Sequence, residues 1–383
     1  ASFLYSIEDE GVAVFKRDEN GDLTRINRVS IDGMRGCFLA TDVDGKYLYV
    51  AGYHDGKVTV VHTRRDGSLG RIMDGVYHKG LGSVAERNFR PHVNCVRPTP
   101  DNKYLCAVDN GIDQSDLPHQ QEQHKLELVD ILRCPRESGP RIIRFSADGR
   151  FAYILFELSN EIKVYSYDGS GSTPEFELLQ SVSTLRKPND EDAIHNAASG
   201  LALAPDGRHL FCTTAGENSV SMYEIDHETG LLEKKFNLPI SGDYPKDLVI
   251  FPDNKHIALA NHASNSITTF TVDYDKNIIV MNDKPHHIET PNCIHIWPVP
   301  DEVAGDVHID EDRRNNVKEM SQVNDFLNHY LRTFLLLKNI RYLFFFICIC
   351  DFRMISGNPR QFNYRDESVE LCISAHGNNI IIP

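Results

Sequence analysis

The 383-residue chain lacks most of the features that announce a function at first sight. Its nine cysteines form no C-x-x-C pair and no zinc-ribbon spacing, so neither a thiol redox motif nor a structural zinc site is written in them. Their odd number argues for free thiols in a reducing compartment rather than a closed disulfide framework. Basic charge is in deficit: 40 Lys and Arg face 55 Asp and Glu, and a net charge of −15 disfavours nucleic acid and anionic membranes as partners. No apolar run reaches the ~20 residues of a spanning helix. The most apolar stretch, Thr333 to Phe352, is broken by Lys338 and Arg341. Ala1 to Glu10 carries no basic flank before an apolar core, which predicts no secretory signal and a cytoplasmic protein. Walker, G-x-S-x-G and G-x-G-x-x-G signatures are missing in any useful context, and Gly80-Leu81-Gly82 and Gly169-Ser170-Gly171 read as loops. Neither a nucleotide cofactor nor a metal is indicated.

What is present is a repeat. Asp44-Gly45-Lys46-Tyr47-Leu48-Tyr49 recurs in variant form at Asp101, Asp148, Asp206 and Asp253, with spacings of 57, 47, 58 and 47 residues. Asp-Gly or Asp-Asn before Lys or Arg supplies a turn, because Gly and Asn tolerate positive φ. An alternating β-branched and aromatic run follows each turn, as in Tyr47-Leu48-Tyr49-Val50-Ala51, and marks a strand. Fourteen residues after the turn Asp a second strand begins at Val58, Ile162, Val220 and Ile267. A third follows a Gly-containing turn at Leu69 and Leu231, and at Leu23 in a first, partial unit. The fourth runs into the next turn, as from Arg141 to Ser146 and from Ala197 to Ala204. Four strands in roughly 40–50 residues is the period of a β-propeller blade, and the Gly, Pro, Asp and Asn punctuation argues against helical repeats.

Two irregularities stand out. The unit after Asp101 puts Ser115, within the polar segment Gln114 to Gln123, where an apolar strand is expected, and the pattern resumes only at Leu126. A local frame error or a polar loop insertion would each produce this, and no function is placed on His119 or His124. Five complete turn motifs and the partial unit Phe3 to Val29 make six units, which predicts that the opening blade is absent from this chain. The propeller is expected over residues 1–298. Residues 299–383 hold no turn motif, an acidic stretch from His308 to Asp312 and an amphipathic helical pattern around Val317 to Leu337, and are read as a tail, partly helical or disordered.

An ordered series of motifs then resembles a known family. Arg90-Pro91-His92-Val93-Asn94, Gly139-Pro140-Arg141, Glu157-Leu158-Ser159, Gly242 to Asp247 and Pro291-Asn292-Cys293 are similar to the lactonase family of seven-bladed propellers, which includes 6-phosphogluconolactonases and carboxy-muconate lactonizing enzymes. The resemblance covers residues 1 to about 297. It implies a pocket at the mouth of the central channel, with His92, Arg141 and Glu157 as catalytic candidates and Lys246 and Asn94 as substrate-binding ones. The 16 residues from Arg141 to Glu157 keep the family spacing. Three positions depart from it: Asn94 stands where a second His is usual, Lys246 replaces an Arg, and Thr214-Ala215 replaces an Asn-Arg pair.

Opening a lactone requires a positioned water, a base for its proton, and donors for the developing oxyanion. An imidazole exchanges protons near neutral pH, which suits His92 to the base role, with Glu157 as its alternative or its orienting partner. Arg141 offers forked donors to a phosphate, carboxylate or oxyanion, and Lys246 a point charge. The expected partner is a small anionic sugar lactone. A structural ion pair between Arg141 and Glu157, and a solvated Lys246, are the bland alternatives. A lactonizing cyclase and a non-catalytic binding platform are the competing functions. His195 and the pair His286-His287 have no companion ligands at useful spacing and are read as solvated or rim residues.

Overall fold

The computed structural model describes residues 2–18, 21–83, 88–120, 125–187 and 195–296, together with two dipeptide strands at 349–350 and 368–369 that pair with each other. Among the described residues the regular structure is all β and forms six antiparallel sheets before residue 297. Blade 1 has three strands, β1 (Ser2–Glu8), β2 (Gly11–Arg17) and β3 (Leu23–Ser30). Blade 2 has β4 (Phe38–Thr41), β5 (Tyr47–Gly52), β6 (Lys57–Thr63) and β7 (Leu69–Tyr77). Blade 3 has β8 (Val93–Pro98), β9 (Leu105–Asp109), β10 (Gln114–Gln120) and β11 (Leu126–Arg133). Blade 4 has β12 (Pro140–Phe145), β13 (Phe151–Phe156), β14 (Glu161–Asp168) and β15 (Glu175–Ser183). Blade 5 has β16 (Ala197–Leu203), β17 (His209–Ala215), β18 (Ser219–Ile225) and β19 (Leu232–Pro239). Blade 6 has β20 (Pro245–Ile250), β21 (His256–Asn261), β22 (Ser266–Asp273) and β23 (Ile278–Met281), with β24 (His286–His287) as an extra rung on β22. His286 and His287 thus lie in a sheet, and His195 is exposed.

The turn chemistry is as expected. Gly45, Asn102, Gly149, Gly207 and Asn254, each the residue after a repeat aspartate, all have positive φ, between 58° and 75°. The aspartates at 101, 148, 206 and 253 accept the amide two residues on, closing each turn from its own side chain. The strand after the turn is buried along its whole length in blades 2 and 4, because it is covered on both faces by neighbouring blades. Outer strands such as β15 and β11 are largely exposed and carry the charge. Tyrosine hydroxyls tie blades together: Tyr5 donates to the Gly67 carbonyl at 3.0 Å, Tyr153 to Gly230 at 3.2 Å and Tyr223 to Ser183 at 3.0 Å.

The expectation for the third blade needs correction. Gln114–Gln120 is neither an insertion nor a break but the strand β10, paired with β9 through Gln114 to Asp116 and with β11 along its length. Main-chain pairing does not require apolar side chains, and the buried acid of this strand has a charged-group partner, although Ser115 Oγ and Asp116 Oδ1 have no hydrogen-bond partner among the described residues. Asp116 is 8% exposed and lies 3.5 Å from Nε2 of His78, whose Nδ1 is 2.8 Å from Asp109. The ring of His78 follows β7 of blade 2, so this buried acid–imidazole–acid chain links two blades. His119 pairs its main chain with Glu127 of β11, while His124 and the pattern at Val317 to Leu337 lie outside the described residues.

Two outcomes follow from this packing. Phe156 has no exposed surface and sits in the largest apolar cluster, so Phe156→Ala should lower the unfolding free energy by about 3–5 kcal/mol in urea titrations, whereas Leu178→Ser on outer strand β15 should change it by no more than ~0.5. Burial works against a charged His78, but the bond to Asp109 and the charges of Asp116 and Asp109 outweigh it and raise its pKa above 6.5. Burial also raises the Asp116 carboxyl, against the pull of His78. A raised folded-state pKa stabilises most below the unfolded value and less as pH climbs through the folded one. The stability gap between the native chain and His78→Gln should therefore be widest near pH 6 and close towards pH 9 in thermal melts; a gap that widens with pH would refute the pairing.

Candidate active site at the channel mouth

The inner strands β4, β8, β12, β16 and β20 pack in succession around the axis. Four of them enter their blades with the same irregularity. On β8 the pairing steps from Val93 to Cys95 while the partner strand advances one residue, leaving Asn94 surplus. On β12 the surplus residue is Arg141, on β16 it is Ser199 and on β20 it is Lys246. A bulge of this kind re-aims one side chain out of the pleat and is common beside functional sites. Each surplus residue lies seven positions before its turn aspartate. Three of the five sequence candidates thus occupy one equivalent position in three blades, and Ser199 fills it in the blade between Arg141 and Lys246.

Glu157 reaches the mouth from the other strand end, immediately after β13. Arg141 Nη1 donates to Glu157 Oε2 at 2.7 Å, and Arg141 Nε to the Ser199 carbonyl at 3.0 Å. The ion pair named above as the structural alternative for Arg141 and Glu157 is present, and its guanidinium spans two blades. Glu157 is 6% exposed and also accepts from Asn110 Nδ2, at 3.4 Å. The Gly-Pro-Arg motif has a local cause. Gly139 has φ +59°, and a Cβ on it would meet Leu158 at 2.7 Å and Asn110 at 3.0 Å. Its carbonyl accepts the Glu157 amide at 2.7 Å, so the turn bearing Arg141 is clamped to the residue that pairs with it.

His92 is held on every side. Its ring stacks on Tyr53 with centroids 4.3 Å apart, and Phe89 meets it edge-on at 5.9 Å. Its amide donates to Asp109 Oδ1 at 2.8 Å, the carboxylate that also binds His78. Nδ1 lies 2.7 Å from the Tyr53 carbonyl. A carbonyl can only accept, so Nδ1 carries the proton and Nε2 is the basic nitrogen of the neutral ring. His92 and Glu157 are joined through Asn110, whose amide donates to the His92 carbonyl at 3.0 Å and whose side chain reaches Glu157. Lys246 Nζ donates to Asn292 Oδ1 at 2.6 Å, bringing the Pro291-Asn292-Cys293 segment to the same rim. Asn94 Nδ2 is buried without a hydrogen-bond partner among the described residues.

The sequence reading omitted several residues of this rim. Tyr53, Asn110 and His262 stand where Glu157 stands, nine positions after their turn aspartates, and Arg35 stands in blade 2 where His92 stands in blade 3. Nε and Nη2 of Arg35 are buried and lack hydrogen-bond partners among the described residues. These fixed offsets were the signal that could have found them. Thr214 and Ala215, both buried, end β17 and bring no charge to the rim. Among the described residues no three His, Cys, Asp or Glu side chains are grouped to hold a metal ion, and no helix is long and apolar enough to cross a membrane.

The family profile described as lactonase, 7-bladed β-propeller matches residues 1–296. The chain belongs to that family. The six sheets among the described residues before 297 are one fewer than the seven blades of the family description, in line with a missing blade. The chain is 32% identical over 251 residues to the 6-phosphogluconolactonase of Bacillus subtilis, covering 64% of this chain and 70% of that protein. The periplasmic gluconolactonase of Pseudomonas aeruginosa superposes with a TM-score of 0.73 at 26% identity, covering 78% of this chain and 86% of that one. A Bacteroides fragilis structure provisionally assigned as a 6-phosphogluconolactonase gives a TM-score of 0.68 at 28% identity, covering 76% and 83%.

Asn110 is the polar hinge of the rim. Asn110→Ala should cost about 1–3 kcal/mol in chemical unfolding, because the Gly139 carbonyl and Glu157 each lose a donor in a buried setting.

Proposed function

We propose that this lactonase-family chain hydrolyses a sugar-acid lactone, most like the lactone of 6-phosphogluconate. The observation that carries the reading is the Nδ1 bond of His92 to the Tyr53 carbonyl, which leaves Nε2 as a fixed base on a residue that Asn110 links to the Arg141–Glu157 pair. In the proposed reaction Nε2 of His92 takes a proton from water as the oxygen attacks the lactone carbonyl. The tetrahedral oxyanion is stabilised by the charge of Arg141, which Glu157 and the Ser199 carbonyl hold in place. Collapse breaks the bond between the carbonyl carbon and the ring oxygen, and the imidazolium returns its proton to that oxygen. The products are the open sugar acid and a regenerated neutral ring. Lys246 supplies a point charge for the phosphate or the nascent carboxylate. Asn94 at the same bulge position offers an amide donor to the sugar hydroxyls. The clustering of cations on one rim of a chain with net charge −15 supports an anionic small-molecule substrate, and the bacterial relatives' names support the phosphosugar.

The test is the opening of freshly made 6-phosphogluconolactone, corrected for its spontaneous hydrolysis. His92→Ala should lower kcat by about 10²- to 10⁴-fold, the usual weight of a general base. Lys246→Ala should raise KM more for the phosphorylated lactone than for gluconolactone. Full activity in a chain carrying His92→Ala, Arg141→Ala and Glu157→Ala together would remove the site assignment. Turnover of a carboxy-muconate in place of either lactone would reassign the reaction to a cyclase.

A further inference from the structure

Below the mouth, three residues further along the inner strands, lies a second concentration of positive charge. On β8 this level is Arg97 and on β12 it is Arg144, each three positions beyond the bulge residue of its strand. Both converge on Phe38 of β4: their guanidinium carbons are 5.9 and 5.8 Å from the centre of its ring. Three successive blades therefore meet here through two cations and one aromatic ring.

Among the described residues no ion pair neutralises this charge. Arg97 is 5% exposed, and its Nε is buried without a hydrogen-bond partner among the described residues. Arg144 Nη1 donates to the carbonyl of its neighbour Ile143 at 3.0 Å. Among the described residues no carboxylate lies within ion-pair distance of either guanidinium. The acid that feels Arg144 is Asp247 on β20, and its oxygens already accept the amides of Leu248 at 2.9 Å and Ile294 at 3.0 Å. Burial pushes that carboxyl upward, towards its neutral form. The equivalent positions on the other inner strands are Ala40, Ala202 and Val249, the level above holds Phe38, Cys95, Ile142 and Gly200 besides Asp247, and the level below holds one acid, Asp42, which accepts the Tyr47 amide at 2.8 Å and has no ion pair with either arginine. Burial and the neighbouring Arg144 bring Arg97 down to about 9. A guanidinium remains protonated at neutral pH even so, and a buried charge without a counter-charge is strongly unfavourable.

We propose that the central channel contains an anion-binding site between Arg97 and Arg144, taking a compact inorganic anion of the chloride class. A poorly hydrated halide suits a niche walled by Phe38, Cys95 and Ile142, where few neutral donors are present, and the partial exposure of Phe38 and Arg144 gives it a route in. The site is distinct from the rim of Arg141 and Lys246 and does not depend on the lactonase reading.

The test uses the full chain. Broadening of the chloride magnetic resonance line is expected for the native protein, with bromide displacing chloride and giving an anomalous scattering peak between the two guanidiniums in crystals grown from bromide. Arg97→Met and Arg144→Met should each weaken chloride binding about tenfold or more, since a hydrogen bond to an ion is worth at least that factor. Lys246→Met should leave it unchanged. Arg97→Met should melt no lower than the native chain in halide-free buffer, because it removes an unpaired buried charge. Should that variant not fold, Arg144→Met and the bromide map decide the matter alone. Chloride broadening that survives both methionine variants, or a bromide map without a peak at this level, would overturn the proposal.

Discussion

Each inner strand of blades 3 to 6 enters its sheet with one residue more than its partner can pair, and the site depends on that surplus residue. Without the bulge, Asn94, Arg141, Ser199 and Lys246 would fall into the regular alternation of the pleat and be shared between neighbouring blades. With it, each stands outside that alternation at the same register of its blade. Everything else at the rim serves to hold that geometry. Gly139 permits the tight entry into β12, Glu157 and the Ser199 carbonyl fix the guanidinium, and Asp109 fixes the backbone of His92.

Much of the architecture was legible because a turn every 47 to 58 residues needs positive φ, and only Gly and Asn supply it readily. The strand after each turn is apolar throughout because blades cover both its faces. The polar third strand of blade 3 escaped the same logic. Its acceptability depends on His78, which is 38 residues away in sequence and belongs to another blade, and a one-dimensional pattern contains no record of such a partner. Of the site, the motifs pointed to Arg141, Glu157 and His92, and the pairing of the first two was foreseen only as a structural alternative to catalysis. The tautomer of His92 did not, since it is set by a backbone carbonyl, and carbonyls look identical in every sequence.

Charge is distributed on two scales. The chain as a whole is acidic, while four cations belong to the inner strands on two levels, Arg141 and Lys246 at the bulges and Arg97 and Arg144 three residues further on. Arg141 has its carboxylate; Arg97 has none among the described residues. Cations gathered in a low-dielectric interior raise the local concentration of small anions, even in a chain whose net charge is −15.

The regular placement of the rim residues has a consequence for how such a site changes over time. Because each blade contributes its side chain from the same bulge, seven residues before its own turn, one wall of the mouth can be exchanged without disturbing the others. The Asn at position 94 and the Lys at position 246 occupy two such positions, distant in sequence and equivalent in register. The fold behaves as a combination lock, in which selectivity is reset one dial at a time while the ring that carries the dials stays the same.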